Sequence, residues 1–395
     1  MWTLGIDIAK VKHNASLLDE DGRIFFNNLS FTNDDQGLQK LLSRISQSGM
    51  RQDQIVVGME STGHYWMLLF QHLTEAGFEV QVINPLVIRA RGNIGIRGSR
   101  TDSIASLAIA RYLREIDLKK SALPGQQAAE LRTLTRLRYE LSQELVAQKL
   151  RLIGLLDLVF PEYGEYFSDI FGVSSRQVLT SFPSAKELAQ VDVRRLTNLL
   201  KKASRGRLGR DRAEALKRAA KNSFARHQAN KNLELQIRFI VERLNLTFAQ
   251  IDELEREIET YFPEEQELLQ SLPGIGSVWA PTILAEILPV FDPERREGGT
   301  AFVAMAGIDP KLNQSGKKNG KATMSKRGSK YLRTALMEAA SVAAIVSDDP
   351  MFGAIYKKQI AKNKPHFVAV SHVANKMCHV IFAVLKHKSI YQPRI

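Results

Sequence analysis

The apolar runs in the N-terminal part of this chain are short, and two of them carry a carboxylate. The first is Trp2-Thr3-Leu4-Gly5-Ile6-Asp7-Ile8-Ala9, and the second closes as Val56-Val57-Gly58-Met59-Glu60. Runs of this length are strands rather than helices, and an ionised acid inside one is costly unless something compensates it. Residues 2–9, 14–18 and 23–29 read as three strands, with Asp19-Glu20-Asp21-Gly22 as a hairpin turn between the last two. Leu38, Leu41, Leu42 and Ile45 recur at helical spacing and predict a helix over 34–47. A strand from Ile55 ends at Glu60, a helix covers 64–76, a strand covers 78–83, and a helix starts near Thr101 and continues through Leu107, Ile109 and Leu113. Strands and helices in this order predict a mixed α/β layer within about the first 120 residues.

Beyond Leu131 the pattern is helical. Residues 127–157 form one long amphipathic helix, and 160–230 read as an insertion of shorter helices with a Gly/Arg-rich turn at Ser204–Arg210. A seam follows at Ile237, Val241, Leu244, Phe248, Ile251, Ile258 and Phe262, spaced alternately by four and three and interrupted once, by Glu255. It reads either as a coiled coil joining two or four copies of the chain or as a helix packed on its own domain, with Pro263 as its stop. Leu272-Pro273-Gly274-Ile275-Gly276 is a tight turn between helices, and Gly274 and Gly276 there would let the backbone approach a phosphate, as in helix-hairpin-helix DNA binders.

Charge points to the partner. The formal net charge is +13, and it is unevenly spread. Residues 311–333 hold eight Lys or Arg and no acid, residues 201–231 hold eleven basic and two acidic residues, and Pro350–Ile395 holds no acid at all. Three basic tracts fit a long polyanion better than a small anion. The one cysteine, Cys378, forms neither an internal disulfide nor a thiolate zinc cluster, which favours a reducing cytoplasm. The N-terminus lacks a secretory pattern and no unbroken apolar run approaches membrane length, so no membrane partner is expected.

Cutting a phosphodiester with Mg²⁺ requires several carboxylates at one point. Asp7 on the first strand, Glu60 on the fourth and Asp102 at the start of a helix, with Arg100 just before it, are the ordered set. Each taken alone is also an ordinary strand end or helix-capping acid. The segments Gly5-Ile6-Asp7-Ile8-Ala9-Lys10, Glu60-Ser61-Thr62-Gly63-His64-Tyr65-Trp66 and Arg100-Thr101-Asp102 resemble the DEDD-type transposases of bacterial insertion sequences. So do Leu272-Pro273-Gly274-Ile275-Gly276, Met305-Ala306-Gly307-Ile308-Asp309-Pro310, Gln314-Ser315-Gly316-Lys317, and Ser325-Lys326-Arg327-Gly328 with Leu332-Arg333. The resemblance covers roughly 1–155 and 230–345. It implies an RNase H-like (RuvC-like) N-terminal domain over 1–125, a helical and coiled-coil middle over 126–265, and a helical C-terminal transposase domain over 266–395. It also implies Mg²⁺ on Asp7, Glu60 and Asp102, a serine nucleophile, donor and target DNA as substrates, and in several members a non-coding bridge RNA that pairs with both. The setting would be the bacterial cytoplasm and, during reaction, the nucleoid.

The chain departs from the pattern at one position. The family places a fourth acid three residues after the third, and here Ala105 stands there. Residues three apart share a helix face, so an acid at 105 would reach the same metal as Asp102. Ala105 reads as an engineered inactive variant, a natural variant with weaker metal binding, or a site in which Ser106 and water fill in; deliberate substitution is favoured, because Ala is the usual truncation and every flanking residue matches. Ser315 is the nucleophile the resemblance implies; by its residues alone Asn313-Gln314-Ser315-Gly316-Lys317-Lys318 is equally a basic loop that holds DNA, with Ser325 and Ser329 as other candidates. Lys317, Lys318, Lys321, Lys326, Arg327 and Arg333 would meet phosphates, and Gly316 would allow close approach. His64 reads as structural or substrate-contacting rather than as a base, and Trp2, Trp66 and Trp279 as core. Two other readings stay open: a Holliday-junction-type metal-dependent endonuclease in which Ser315 only binds, and a non-catalytic nucleic-acid-binding protein.

Overall fold

The computed structural model describes residues 1–60, 65–83, 102–115, 126–225, 227, 231–311, 314–315, 318–319 and 323–393. Arg100, His64, Gly316, Lys317 and Lys321 lie outside them. The chain divides into two compact units, Met1–Leu123 and Pro124–Ile395.

In the first unit β1 (Trp2–Asp7), β2 (Lys12–Leu18), β3 (Ile24–Thr32), α1 (Asp35–Ser46), β4 (Ile55–Glu60), α2 (Trp66–Glu75), β5 (Glu79–Ile83) and α3 (Asp102–Glu115) follow in order. The sheet order is β3-β2-β1-β4-β5, antiparallel across β1–β2–β3 and parallel across β1–β4–β5. The hairpin forms where the acidic turn was expected. Gly22 takes φ 86° and the Asp19 carboxylate accepts the N–H groups of Asp21 and Arg23 at 3.0 and 2.8 Å. Strand alternation sorts the two faces. Leu4, Ile6, Ile55, Val57 and Met59 pack with Leu41, Ile45, Phe70 and Leu73 of α1 and α2, whereas Val56 packs with Ile109 and Leu113 of α3 on the opposite face.

Two glycines set how closely α3 lies on the sheet. A Cβ on Gly5 would stand 2.1 Å from the Ser106 carbonyl oxygen and 2.4 Å from the Ala110 nitrogen; one on Gly58 would stand 2.8 Å from Leu113. Gly5 and Gly58 are register partners on β1 and β4, so the helix backbone rests on a floor without side chains.

The second unit begins with α4 (Gln126–Val159), continues through α5 (Val173–Ser181), α6 (Ala185–Gln190), α7 (Val193–Ala203) and α8 (Arg210–Asn222), and returns along α9 (Lys231–Ile258). Arg138 Nε donates to Glu255 at 2.8 Å and Gln148 Nε2 to Thr247 at 3.3 Å, numbers that rise on α4 as they fall on α9. The two helices are therefore antiparallel, with the insertion at the far end of the pair. The heptad seam faces inward: Ile237, Val241, Leu244 and Ile251 are buried, and the first three belong to one core with Leu152 and Leu156 of α4 and the insertion helices. Of the two readings of the seam, this supports the helix packed on its own domain. Its polar interruption, Glu255, pairs with Arg138. Its last member also moves: α9 ends at Ile258, Phe262 has φ 49° outside any helix, and Pro263 opens the next helix instead of stopping this one.

The rest of the unit comprises α10 (Pro263–Gln270), α11 (Trp279–Ile287), α12 (Gly298–Ala306), the short strands β6 (Pro310–Lys311), β7 (Gln314–Ser315), β8 (Lys318–Asn319) and β9 (Thr323–Met324), then α13 (Lys330–Ser341), α14 (Pro350–Ile360) and α15 (His366–His387). By length and composition α15 is apolar enough to cross a membrane, but here Val370, Val373, Met377, Cys378 and Ile381 line the core shared with Leu131 of α4.

Candidate active site

The backbone places the three sequence-predicted acids at one end of the sheet. Asp7 ends β1 and Glu60 ends β4, and the parallel register that pairs Ile6 with Met59 makes the two acids neighbours. Adjacent strands lie about 4.8 Å apart. Each acid stands two residues beyond its strand's glycine, so both face the α3 side. The helix runs opposite to β1: Arg114 near its end donates to the Asp19 and Glu20 carbonyl oxygens, beside the start of β1, and Ser106 meets Gly5. Its first residue, Asp102, thus lies at the same sheet end as Asp7 and Glu60. Among the described side chains no three His, Cys, Asp or Glu converge as a metal site; the Asp102 side chain is outside that set. Two oxygen-donor carboxylates ending adjacent strands are the chemistry a hard cation takes.

Ala105 is half-buried one turn along α3. Ser106 does not substitute for a ligand there. It is fully buried, with its hydroxyl 2.8 Å from that of Ser16, which is itself 2.8 Å from the Asn27 side-chain oxygen.

Ser315 lies on a small two-layer hairpin between α12 and α13. The base is β6 against β9, with Pro310 opposite Met324; the tip is β7 against β8, with Ser315 opposite Lys318. The base is clasped: Ser325 Oγ donates to Asp309 at 2.6 Å, the Ser325 N–H to the Asp309 carbonyl at 2.9 Å, and the Lys326 N–H to the Gly307 carbonyl at 2.9 Å. Ser329 caps α13, accepting from the Leu332 N–H at 3.2 Å. Both rival serines are thus held by the scaffold. Lys326 and Arg327 are exposed beside them, whereas Arg333 donates inward, to the Ala306 carbonyl at 2.9 Å. The glycines of the 272–276 turn also divide. Gly274 has φ 84°, and a Cβ there would stand 2.2 Å from the Ala339 carbonyl oxygen, so its close approach is to α13 and not to a phosphate; Gly276 faces open space.

One residue near the start of α13 is not marked by the sequence reading. Glu286 is fully buried in α11, and its carboxylate accepts from Arg136 at 2.7 and 3.1 Å and from Arg132 at 3.4 and 3.3 Å. Burial pushes its pKa up, but the Arg136 hydrogen bond and the two guanidinium charges outweigh it and hold the carboxyl below the ordinary range. Arg136 also lies over the Tyr331 ring at 4.7 Å, and Tyr331 donates to Glu140 at 2.9 Å. The start of α13 is thereby tied to α4. An acid inside the apolar run Ile283-Leu284-Ala285-Glu286-Ile287 was the available signal, the same one that marked Asp7.

Two family models of transposases match the chain. Residues 4–161 match a family described as transposase of the DEDD IS110 type, and residues 266–357 match the transposase IS116/IS110/IS902 family. The chain is 25% identical to the mini-circle transposase for IS117 of Streptomyces coelicolor over 94% of this chain and 91% of that one. It is 22% identical to the transposase for insertion sequence element IS1328 of Yersinia enterocolitica over 85% of each. Over 28% of this chain and 33% of the relative it is 32% identical to the pilin gene-inverting protein of Moraxella bovis. The class is that of insertion-sequence transposases. Within it, the chain belongs to the DEDD-type IS110 family.

Proposed function

We propose that this chain cuts and rejoins DNA strands as the transposase or recombinase of a mobile insertion element, with Ser315 as the nucleophile. The observation that carries this is the shared sheet end of Asp7, Glu60 and the first residue of α3. The order β3-β2-β1-β4-β5, with helices on both faces, supports an RNase H-like (RuvC-like) domain within 1–125. The helical pair over 126–265 would then be the connector and 266–395 the serine-bearing transposase domain.

In the proposed reaction the Ser315 hydroxyl oxygen attacks a DNA phosphorus, and its proton passes through solvent to the departing deoxyribose oxygen, which leaves as a strand hydroxyl. A serine–phosphate bond forms as the bond to the departing deoxyribose oxygen breaks, and a strand hydroxyl later reverses the exchange, so the ends rejoin without ATP. Lys318, Lys326 and Arg327 offset charge on the phosphate. Asp7, Glu60 and Asp102 would hold Mg²⁺, which when bound polarises the phosphate oxygens. The engagement of Ser325 by Asp309 and of Ser329 at the α13 cap supports Ser315 as the reacting serine.

The DNA is both donor and target, and a structured bridge RNA that pairs with each is the proposed guide; the basic tracts give both polyanions surfaces to follow. Two or four copies are proposed to assemble. Leu235, Phe239 and Leu246, exposed on α9 away from its inner seam, support a contact there. Ala105 favours a second reading, a chain that binds nucleic acid without cutting it.

One experiment separates these readings. A nicked DNA substrate is incubated with the chain, the mixture is denatured and digested, and adducts are mapped by mass spectrometry. A phosphoserine-linked DNA end at Ser315, lost in Ser315→Ala, is expected. Cleavage to free 5′-phosphate ends by Ser315→Ala would overturn the serine mechanism. An adduct at Ser325 or Ser329 would relocate it, and binding without cleavage in any background would favour the second reading.

A further inference from the structure

We propose that the turn joining α7 and α8 is a second DNA-binding surface, which holds the backbone of a duplex well away from the serine hairpin. Lys201, Lys202, Arg205, Arg207, Arg210 and Arg212 fall within twelve residues, with Asp211 as the only acid. All six cations are exposed. The underside is built, since Leu196, Leu200, Ala213, Leu216 and Ala220 are buried in the insertion's core. The patch is therefore presented by a packed pair of helices and is not a trailing basic tail.

Fold stability does not explain these charges. Lys201 and Lys202 suit the last turn of α7, but Arg210 and Arg212 stand in the first turn of α8, where the helix dipole disfavours cations. Arg210 is partly compensated by Glu214 at 2.7 Å. Arg205 and Arg207 add like charge in the turn itself. Solubility is served by interspersed signs, and a cluster of one sign repels itself until a polyanion arrives.

The chemistry of the patch selects the polyanion. From Val191 to Asn222 there is no Phe, Tyr, Trp or His. Binding of unpaired bases relies on aromatic stacking, so a surface made only of Lys and Arg tracks the phosphates of paired strands and reads no sequence. Neither family match accounts for this surface, as they end at 161 and resume at 266. Its position follows from α4. The insertion packs around Leu156, twenty residues along the helix from Arg136, which touches the start of α13. At 1.5 Å per residue that is about 30 Å, or about nine base pairs of duplex. The surface fits DNA flanking the cut site and not the cut site itself.

The proposal rests on the reading that duplex DNA is the substrate, but its test needs no cleavage. Binding of the full-length chain to two unrelated duplexes of about 40 bp is followed by fluorescence anisotropy across a KCl titration. The comparison is with a chain carrying Lys202→Gln, Arg205→Gln, Arg207→Gln and Arg212→Gln. Affinity should fall about tenfold or more at about 0.1 M KCl, equally for both sequences, and the slope of log affinity against log salt should drop by about 3. The thermal midpoint should hold or rise, because repulsion is relieved. If the midpoint falls, Arg205→Gln with Arg207→Gln, which alters neither helix, is read the same way, with a proportionate loss expected. Unchanged affinity and slope would overturn the proposal, as would a loss seen with a single-stranded RNA probe and not with duplex. Failure of the unaltered chain to bind either duplex would sink the substrate reading together with this one, whereas an unchanged variant sinks this one alone.

Discussion

Ala105 leaves one face of the proposed metal set without an oxygen ligand, and the burial of Ser106 against Ser16 removes the neighbouring side chain that was to fill in. Ala105→Asp should therefore raise Mg²⁺-dependent DNA cleavage by about tenfold or more, measured as initial rate against metal concentration. An unchanged rate in an already active chain would dismiss the idea of a missing ligand. Glu286 makes a stability prediction. Its folded pKa is depressed, so its contribution is fully present above the unfolded value of about 4.3 and is lost as pH falls through the folded pKa. Arg132 and Arg136 are each about one-third exposed, and water can partly compensate them once the acid is gone. Glu286→Gln should accordingly cost about 2 kcal/mol at neutral pH, below the full cost of breaking a buried pair. Urea midpoints of the two chains should differ at pH 7 and converge on acidification below about pH 4. Convergence on raising the pH instead would contradict the assigned sign.

At the scale of elements, α9 presents two apolar faces with different jobs. Leu244 is fully buried toward α4 and the insertion, whereas Leu246 is exposed. Leu244→Asn should cost about 3 kcal/mol or more, through a lost apolar side chain and a buried amide without partners. It should appear as a lower melting temperature by circular dichroism. Phe239→Glu with Leu246→Glu should leave melting almost unchanged and lower the mass seen by light scattering, if the outer face joins copies of the chain. A drop in mass from Leu244→Asn with melting preserved would return the contact to the inner seam.

For the whole molecule, a net charge of +13 makes nucleic-acid binding steeply salt-dependent. Two separate surfaces add a sharper expectation. The insertion that carries the α7–α8 turn packs on α4 around Leu156 and the start of α13 touches Arg136, points about 30 Å apart along that helix and beyond the range of direct coupling. Neutralising Lys326 and Arg327 together with Arg205 and Arg207 should therefore weaken binding to long duplex by the sum of the separate effects, within about 0.5 kcal/mol. On duplexes too short to span both surfaces the two effects should cease to add. Binding curves at one ionic strength, for short and long duplexes, decide the matter.

What the sequence determined is what local pattern can carry. Strand-length runs with an acid at the end located Asp7 and Glu60, the acidic turn before Arg23 located the hairpin, and clustered Lys and Arg identified a polyanionic partner, because each signal is complete within a few residues. The heptad spacing of α9 likewise revealed a buried face, but periodicity reports that a face is covered and not by what; only the return of α9 along α4 decided that the cover comes from the same chain. The glycines made the same point. Gly5, Gly58 and Gly274 are small because Ala110, Leu113 and Ala339, all far along the chain, come to lie against them. Glu286 is locally only one acid in an apolar helix, since its two arginines are about 150 residues away. The common end reached by Asp7, Glu60 and Asp102 belongs to this second kind: a parallel register and a helix running opposite to β1 bring it about, and both are set by packing between segments that no local pattern joins.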